Sequence, residues 1–142
     1  MPVSIRLVTV TDSAALVALW ALVFPEYSDP TKPQRDPAAN IARKLAQQDG
    51  LFWLAEESGQ IIGNVMAGWD GHRGWIYALG VLPEKRSQGI GRQLAHQAEQ
   101  ALRERGCPKI NLQTRSAAAI KFWQALGFAD DAVISLGKRL AN

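Results

Sequence analysis

Cysteine is almost missing from this sequence: Cys107 is the single one in 142 residues. That excludes a disulfide framework within the chain and any cysteine-rich zinc site. Histidine is nearly as scarce. His72 and His96 are the two present, neither has a third ligand at a metal-like spacing, and no metal is expected. No apolar run approaches the roughly 20 residues that a membrane helix needs. The opening Met1-Pro2-Val3-Ser4-Ile5-Arg6 lacks the basic-then-apolar order of a secretory signal. A cytoplasmic protein is therefore expected. Charge of one sign does not accumulate either. Lys and Arg total 16 against 13 Asp and Glu, a net charge of +3. The basic residues form no long block, so a primary nucleic-acid role is disfavoured.

The chain has the composition of a globular domain, 47% hydrophobic and 20% charged. Its length fits a single domain over residues 1–142. Residues 4–9 read as a first strand with Ile5 and Leu7 on one face. Thr11 or Asp12 can cap a helix whose stripe is Leu16, Leu19, Trp20 and Val23. A proline-bearing loop spans Phe24 to Arg35, a length that in compact domains often carries function. Asp36-Pro37 is a helix cap followed by a first-turn proline, with Ile41 and Leu45 inward. Three strands follow as a meander, over 51–56, 61–70 and 75–82. The last is apolar on both faces and belongs in the middle of a sheet covered by helices. A helix over 89–105 stops at Gly106, a strand covers 109–114, and a helix over 117–126 stops at Gly127. Residues 128–135 and 137–140 read as closing strands. Strand, helix and strand around 89–105 form a right-handed crossover, so those two strands run parallel. The expected fold is α/β (α+β), a mixed and mostly antiparallel sheet with helices on both faces.

The chemistry concentrates in Val81-Leu82-Pro83-Glu84-Lys85-Arg86-Ser87-Gln88-Gly89-Ile90-Gly91-Arg92. A buried strand ends, a basic turn follows, and a glycine pair opens a long helix. Unpaired N–H groups in the first helical turn, glycines that let an anion approach, and Lys85, Arg86 and Arg92 beside them suit phosphate. A P-loop is excluded because Gly91 precedes Arg92-Gln93 rather than Lys-Ser/Thr. A dinucleotide fingerprint is excluded because Leu94 stands where a small residue belongs.

Arg86-Ser87-Gln88-Gly89-Ile90-Gly91 resembles the R/Q-x-x-G-x-G/A signature of the GNAT acyl-CoA N-acyltransferases. Leu79-Gly80-Val81-Leu82-Pro83-Glu84 looks like its usual lead-in. Residues 116–128 are similar to the family's second motif, N-x-x-A-x-x-x-Y-x-x-x-G-F. The order of elements fits from Ser4 onward and is sharpest over 75–128, with the ribosomal-protein-alanine acetyltransferases as related members. The resemblance implies a GNAT-type sheet with a splayed parallel pair at strands 4 and 5. It also implies acetyl-CoA as cosubstrate. The pyrophosphate would lie on the amides of Ser87, Gln88, Gly89, Ile90, Gly91 and Arg92, with Arg86 beside them. The pantetheine arm would pair with Leu79, Gly80 and Val81 as an added strand. Ser116 and Trp123 occupy the second motif's cofactor-side positions. The Val81 N–H would stabilise the oxyanion as an amine attacks directly in a ternary complex.

Three positions depart from the family. Trp123 replaces the usual tyrosine, and indole cannot act as an acid at neutral pH. Ser116 replaces an asparagine. Gln113 stands where the ribosomal-protein-alanine enzymes carry a glutamate base, if the following loop is shorter by two. Water or Tyr77 remains as proton donor. Asp70 and Glu84 are the candidate bases, and Glu26 and Asp29 can attract a cationic acceptor. Trp69 and Trp75 flank a turn and are candidates for an acceptor pocket. Cys107 is read as structural. Three functions remain open. The first is N-acetylation of a primary amine on a small molecule, amino acid or protein N-terminus, with small molecules favoured by the lack of long acidic stretches. The second is a GNAT-like module that binds or senses acyl-CoA without turnover. The third, disfavoured, is nucleic-acid binding through Lys85, Arg86 and Arg92. The oligomeric state, a homodimer included, is left open.

Overall fold

The computed structural model describes residues 2–27, 29 and 31–141. Five strands form one sheet in the order β1-β2-β3-β4-β5: Ser4–Leu7, Phe52–Glu57, Gln60–Trp69, Gly74–Val81 and Ile110–Asn111. The first three pairings are antiparallel and β4–β5 is parallel. Four helices surround the sheet: α1 Ser13–Val23, α2 Pro37–Ala46, α3 Ile90–Glu104 and α4 Ala117–Ala125. The mixed sheet agrees with the reading of the sequence.

Alternation along the strands assigns the faces. Trp20 of α1 bonds Asn64 of β3 on one face. Leu94 of α3 meets Gly63, the neighbouring residue, on the other. β3 is therefore buried on both sides, and Ile62 to Ala67 are closed to solvent. On α3, Ile90, Leu94, Ala98 and Leu102 recur at helical spacing and are buried. Each large side chain removed from water in this way contributes roughly 1.5–3 kcal/mol. The caps follow their residues. Asp36 Oδ1 accepts the Ala39 N–H at 3.3 Å to open α2, and Gly106 and Gly127 take φ of 83° and 95° where α3 and α4 stop. Lys44 of α2 is buried, but its ammonium donates to Asp49, Gln47 and the Ala67 carbonyl. No polar atom of that charge is left stranded.

Three expectations need correction. Leu7 is half exposed rather than inward, because β1 is a four-residue edge strand whose last residue leaves the core. The strand expected over 109–114 is regular only at Ile110–Asn111. The closing strands expected over 128–135 and 137–140 do not form. Among the described residues, 129–141 make no backbone–backbone hydrogen bond, and Val133, Ile134, Leu136 and Leu140 are each more than three-quarters exposed. With β5 so short there is no ladder for them to extend. Among the described residues, side-chain bonds tie this stretch to β5 and its flanks, through Lys109 and Asn111 to Asp131 and Gln113 to Ser135. In the loop before α2, Pro25–Tyr27 and Pro33–Arg35 make short 3-10 turns. Ser28 and Pro30 of that loop, with Met1 and Asn142, lie outside the described residues. Among the described residues no helix is long and apolar enough to cross a membrane.

Candidate active site

β4 and β5 touch only at their beginnings. Gly74 pairs with Ile110 and Trp75 with Asn111, and the Gly74 N–H donates to the Lys109 carbonyl at 3.0 Å. Beyond that point β4 keeps β3 on one side and has no strand on the other. Which of its amides face the gap follows from the ladder. The Leu82 N–H donates to the Ile62 carbonyl at 2.9 Å. In an antiparallel pair such a residue alternates with one whose N–H and C=O point away. Val81, opposite Gly63, therefore turns its N–H into the gap, and the same alternation places Leu79 there. Gly80 pairs inward with Asn64. The Val81 carbonyl is held by Arg86 Nε at 3.1 Å, which leaves its N–H as the open group.

The gap leads to the entrance of α3. Ser87 and Gly89 both adopt left-handed backbone, φ 64° and 83°. Gly89 caps the helix without a side chain. Gln93 is the first residue whose N–H finds an acceptor in the helix, the Gly89 carbonyl at 3.0 Å. The amides of Ile90, Gly91 and Arg92 thus remain in the unpaired first turn. A Cβ at Gly89 would have nothing within 4 Å, so the mouth is open where an anion would rest. Ser87, Gln88 and Gly89 are exposed and Ile90 is buried beneath them. The sequence assigned the same purpose to both glycines, and the structure separates them. A Cβ at Gly91 would lie 3.3 Å from the Phe122 ring and 3.8 Å from Leu79. Gly91 is small so that α4 and β4 can close on α3. Lys85 is also reassigned. Its ammonium pairs with Glu57 at 2.6 Å, which holds that carboxyl below its usual pKa. Arg86 and Arg92 are left to supply charge at the mouth.

The remaining candidates are spread out. Asp70 sits in the β3–β4 turn, where it accepts the N–H groups of His72 and Arg73, each at 2.7 Å. Those bonds, Arg73 first, lower its pKa. Glu84 lies past the other end of β4 and lines a cavity with Arg6, Asp12, Glu56 and Leu82 on the β1 side. The eight residues of β4 put the two carboxylates on the order of 25 Å apart, at about 3.3 Å per residue. They cannot serve the same reacting atom. Tyr77 stacks on Trp75, centroids 6.3 Å apart and planes at 15°. Its hydroxyl lies over Gly68, which pairs with Trp75, so the ring leans away from Val81. Burial, and then the charge of Asp70, raise its pKa.

Ser116 caps α4 by accepting the Ala119 N–H at 3.2 Å. Trp123 is 8% exposed, between Phe122 and Phe128 at 5.0 and 5.1 Å. Gln113 bonds Ser135 at 2.6 Å. Cys107 donates to the Lys109 carbonyl at 3.2 Å. No group of three or more His, Cys, Asp or Glu among the described residues could hold a metal. Sequence reasoning passed over Asn64, whose signal was a lone polar residue inside the apolar run 61–67.

The chain that carries this open edge and helix mouth is similar to known proteins. The pattern of the Acetyltransferase (GNAT) family matches residues 15–128. An acetyltransferase of Pectobacterium atrosepticum is 42% identical over 138 residues, covering 96% of this chain and 94% of that one. The fold is similar to that of the PaiA N-acetyltransferase of Thermoplasma acidophilum solved with coenzyme A. The TM-score is 0.81 at 18% identity, with 94% of each chain covered. It is also similar to an aminoglycoside N-acetyltransferase solved with the bisubstrate analogue CoA-S-monomethyl-acetylneamine. That TM-score is 0.77 at 23% identity, covering 98% of this chain and 99% of the other. With the first sequence motif and its lead-in lying on the mouth and the gap, a family pattern over residues 15–128 and a relative matching along nearly its whole length, this chain belongs to the GNAT acetyltransferase family.

Proposed function

We propose that this chain transfers an acetyl group from acetyl-CoA to a primary amine of a small molecule, in the cytoplasm, by direct attack in a ternary complex. The observation that carries this is the unpartnered β4 edge, with Val81 N–H turned into the gap, continuous with the open amides at Gly89–Arg92. The residues fit the cosubstrate: Gly89 leaves room for its diphosphate, and Arg86 and Arg92 supply charge. The arm then runs back along β4, meeting Val81 first and Leu79 second. We place the thioester carbonyl on the second, the Leu79 N–H, where it stabilises the oxyanion, while the Val81 N–H pairs with the arm. The amine nitrogen bonds to the carbonyl carbon and gives up a proton to water, the C–S bond breaks, and the sulfur leaves with the electron pair. Water returns its proton, since a thiol of pKa about 8.5 is a competent leaving group without a strong acid.

Tyr77 and Trp75 are better placed to receive the acceptor than to protonate sulfur. Their stacked faces attract a cation, and Asp70 adds negative charge nearby. The ammonium releases its proton to solvent before attack. The aminoglycoside enzyme of similar fold supports a small-molecule amine as acceptor.

A second reading, an acyl-CoA sensor without turnover, is favoured by where the two carboxylates point: Asp70 is held in the β3–β4 turn and Glu84 lines the cavity on the β1 side. Thiol release measured across a panel of amines separates the two readings. The binding site itself is tested by Gly89→Glu. The left-handed backbone makes any side chain there cost about 1–2 kcal/mol, so the fold survives. The new carboxylate repels phosphate, and acetyl-CoA affinity falls more than about 100-fold, or over 2.7 kcal/mol. Unchanged affinity in a calorimetric titration refutes this placement.

A further inference from the structure

We infer that Asn64 and Trp20 are positioning residues for the acetyl-CoA edge: they lock a bulge in β4 that turns Leu79 and Val81 toward the gap. The inference rests on the acetyltransferase reading above.

The bulge is visible in the register. Asn64 pairs with Gly80, but Met66 pairs with Tyr77. Val65 alone on β3 therefore faces Ala78 and Leu79 on β4. Ala78 takes φ 51°, a left-handed backbone disfavoured for any residue with a side chain. The extra residue resets the alternation. Gly74, before the bulge, faces Leu102 and Cys107, and Val81, after it, faces Gly63 and Leu94 on the same side of the sheet. They are seven residues apart, an odd number that an unbroken strand would place on opposite faces. Without the bulge, either Val81 or Gly74 would point the wrong way. The set of N–H groups facing the gap would change with it.

A bulge takes its carbonyl out of the ladder, and in a core that carbonyl needs another donor. Asn64 Nδ2 donates to the Ala78 carbonyl at 2.6 Å. Asn64 Oδ1 in turn accepts the Trp20 indole N–H at 2.6 Å. Asn64 is 0% exposed and Trp20 4%, so water cannot substitute for the bond between them, and Asn64 meets the half-buried Ala78 from the closed side. α1 closes the grip. Phe24 packs edge-on against Trp20 at 5.5 Å, and a Cβ at Gly80 would come within 2.7 Å of the Phe24 ring. A fully buried amide thus joins α1 to the one strained residue of β4, next to the two amides that the reaction uses.

The test uses the full-length protein with Trp20→Phe, which keeps an aromatic ring and removes the N–H, and Asn64→Asp, which sets an acceptor against the Ala78 carbonyl. Four quantities are measured well below the melting temperature. They are kcat, KM for acetyl-CoA, affinity for adenosine 3′,5′-bisphosphate as a probe of the helix mouth alone, and amide hydrogen exchange over residues 74–82. Positioning predicts a fall in kcat of about 10- to 100-fold from displaced amides. Affinity for the bisphosphate should stay within about twofold, since the mouth is untouched. Exchange in 74–82 should become faster in both variants. If both variants lower only the melting temperature and leave kcat and exchange at wild-type values, the pair is merely structural and the inference is overturned. If the wild-type chain binds no acetyl-CoA at all, the acetyltransferase reading fails and takes this inference with it.

Discussion

The two halves of β4 differ although they belong to one strand. At Gly74 and Trp75 the strand is hydrogen-bonded to β3 on one side and β5 on the other. Past the bulge at Ala78, Leu79 to Val81 keep β3 but face no strand on the other side, and two backbone amides look into a gap. In the proposed reading the first half serves stability and the second serves recognition by strand addition. The bulge lets both halves put Gly74, Ile76 and Val81 under α3 while their hydrogen-bonding edges serve different purposes. A strand can thus hold a site without ending, because one inserted residue resets which groups face outward.

Paired substitutions break this comparison most directly. A methyl added at Gly80 would lie 2.7 Å from Phe24 and 2.9 Å from Val23. Gly80→Ala should therefore push the open half away from α1 and lower kcat/KM by about 100-fold, the loss expected when an oxyanion donor is displaced. A methyl added at Gly74 would lie 2.6 Å from Cys107 Sγ and 3.2 Å from Leu102. Gly74→Ala should cost about 1–3 kcal/mol by overpacking. It should leave kcat/KM within about threefold, because the site is remote. Equal loss of activity in the two variants would abolish the distinction between the halves.

Tyr77 sharpens the comparison from the boundary. Tyr77→Leu should raise KM for the amine by up to about tenfold with kcat unchanged, as expected for loss of an aromatic face toward a cation. Tyr77→Phe should leave kcat within about twofold, because its ring keeps that face. A large fall in kcat for Tyr77→Phe would restore the phenol as the proton donor.

The smallest effect should come from β1, which touches neither half. The Arg6 guanidinium forks onto Asp12 with two bonds of 2.9 Å and also reaches Glu56 at 3.0 Å. Its bonds hold the Asp12 carboxyl at about 2 against an ordinary 3.8. A depressed carboxyl stabilises the fold above its unfolded pKa and loses that contribution as pH falls through the folded one. The window here is pH 4 down to pH 2. Asp12→Asn should cost about 1–2 kcal/mol at neutral pH, the linkage value discounted for the exposure of Arg6. It should also remove the stability slope in that window. Urea unfolding at pH 7 and pH 2.5 checks both, with transfer activity unchanged.

Elements with a local signal were legible in the sequence. α3 announced itself through Gly89, the buried positions Ile90, Leu94 and Ala98, and Gly106 at its end. Gly89 takes the left-handed backbone before the helix, which is a local requirement. Gly91 was given the same role, yet it answers to Phe122, thirty-one positions away in sequence. Lys85 was counted beside the phosphate, but Glu57 claims it across the sheet. The apolar run 128–140 looked like strand because periodicity records which residues would suit a strand. It does not record whether a neighbour with free backbone groups exists, and a two-residue β5 provides none.

The sequence by itself determined the order of elements, the capped ends of the helices and the glycine-lined mouth, because these depend on residues within a turn or two of each other. Only the tertiary structure decided that Leu79 and Val81 face the gap, that Asn64 and Trp20 hold the bulge, and that Asp70 and Glu84 stand at opposite ends of β4. Those facts come from register and from pairing between distant strands, where one extra residue reverses every face that follows it.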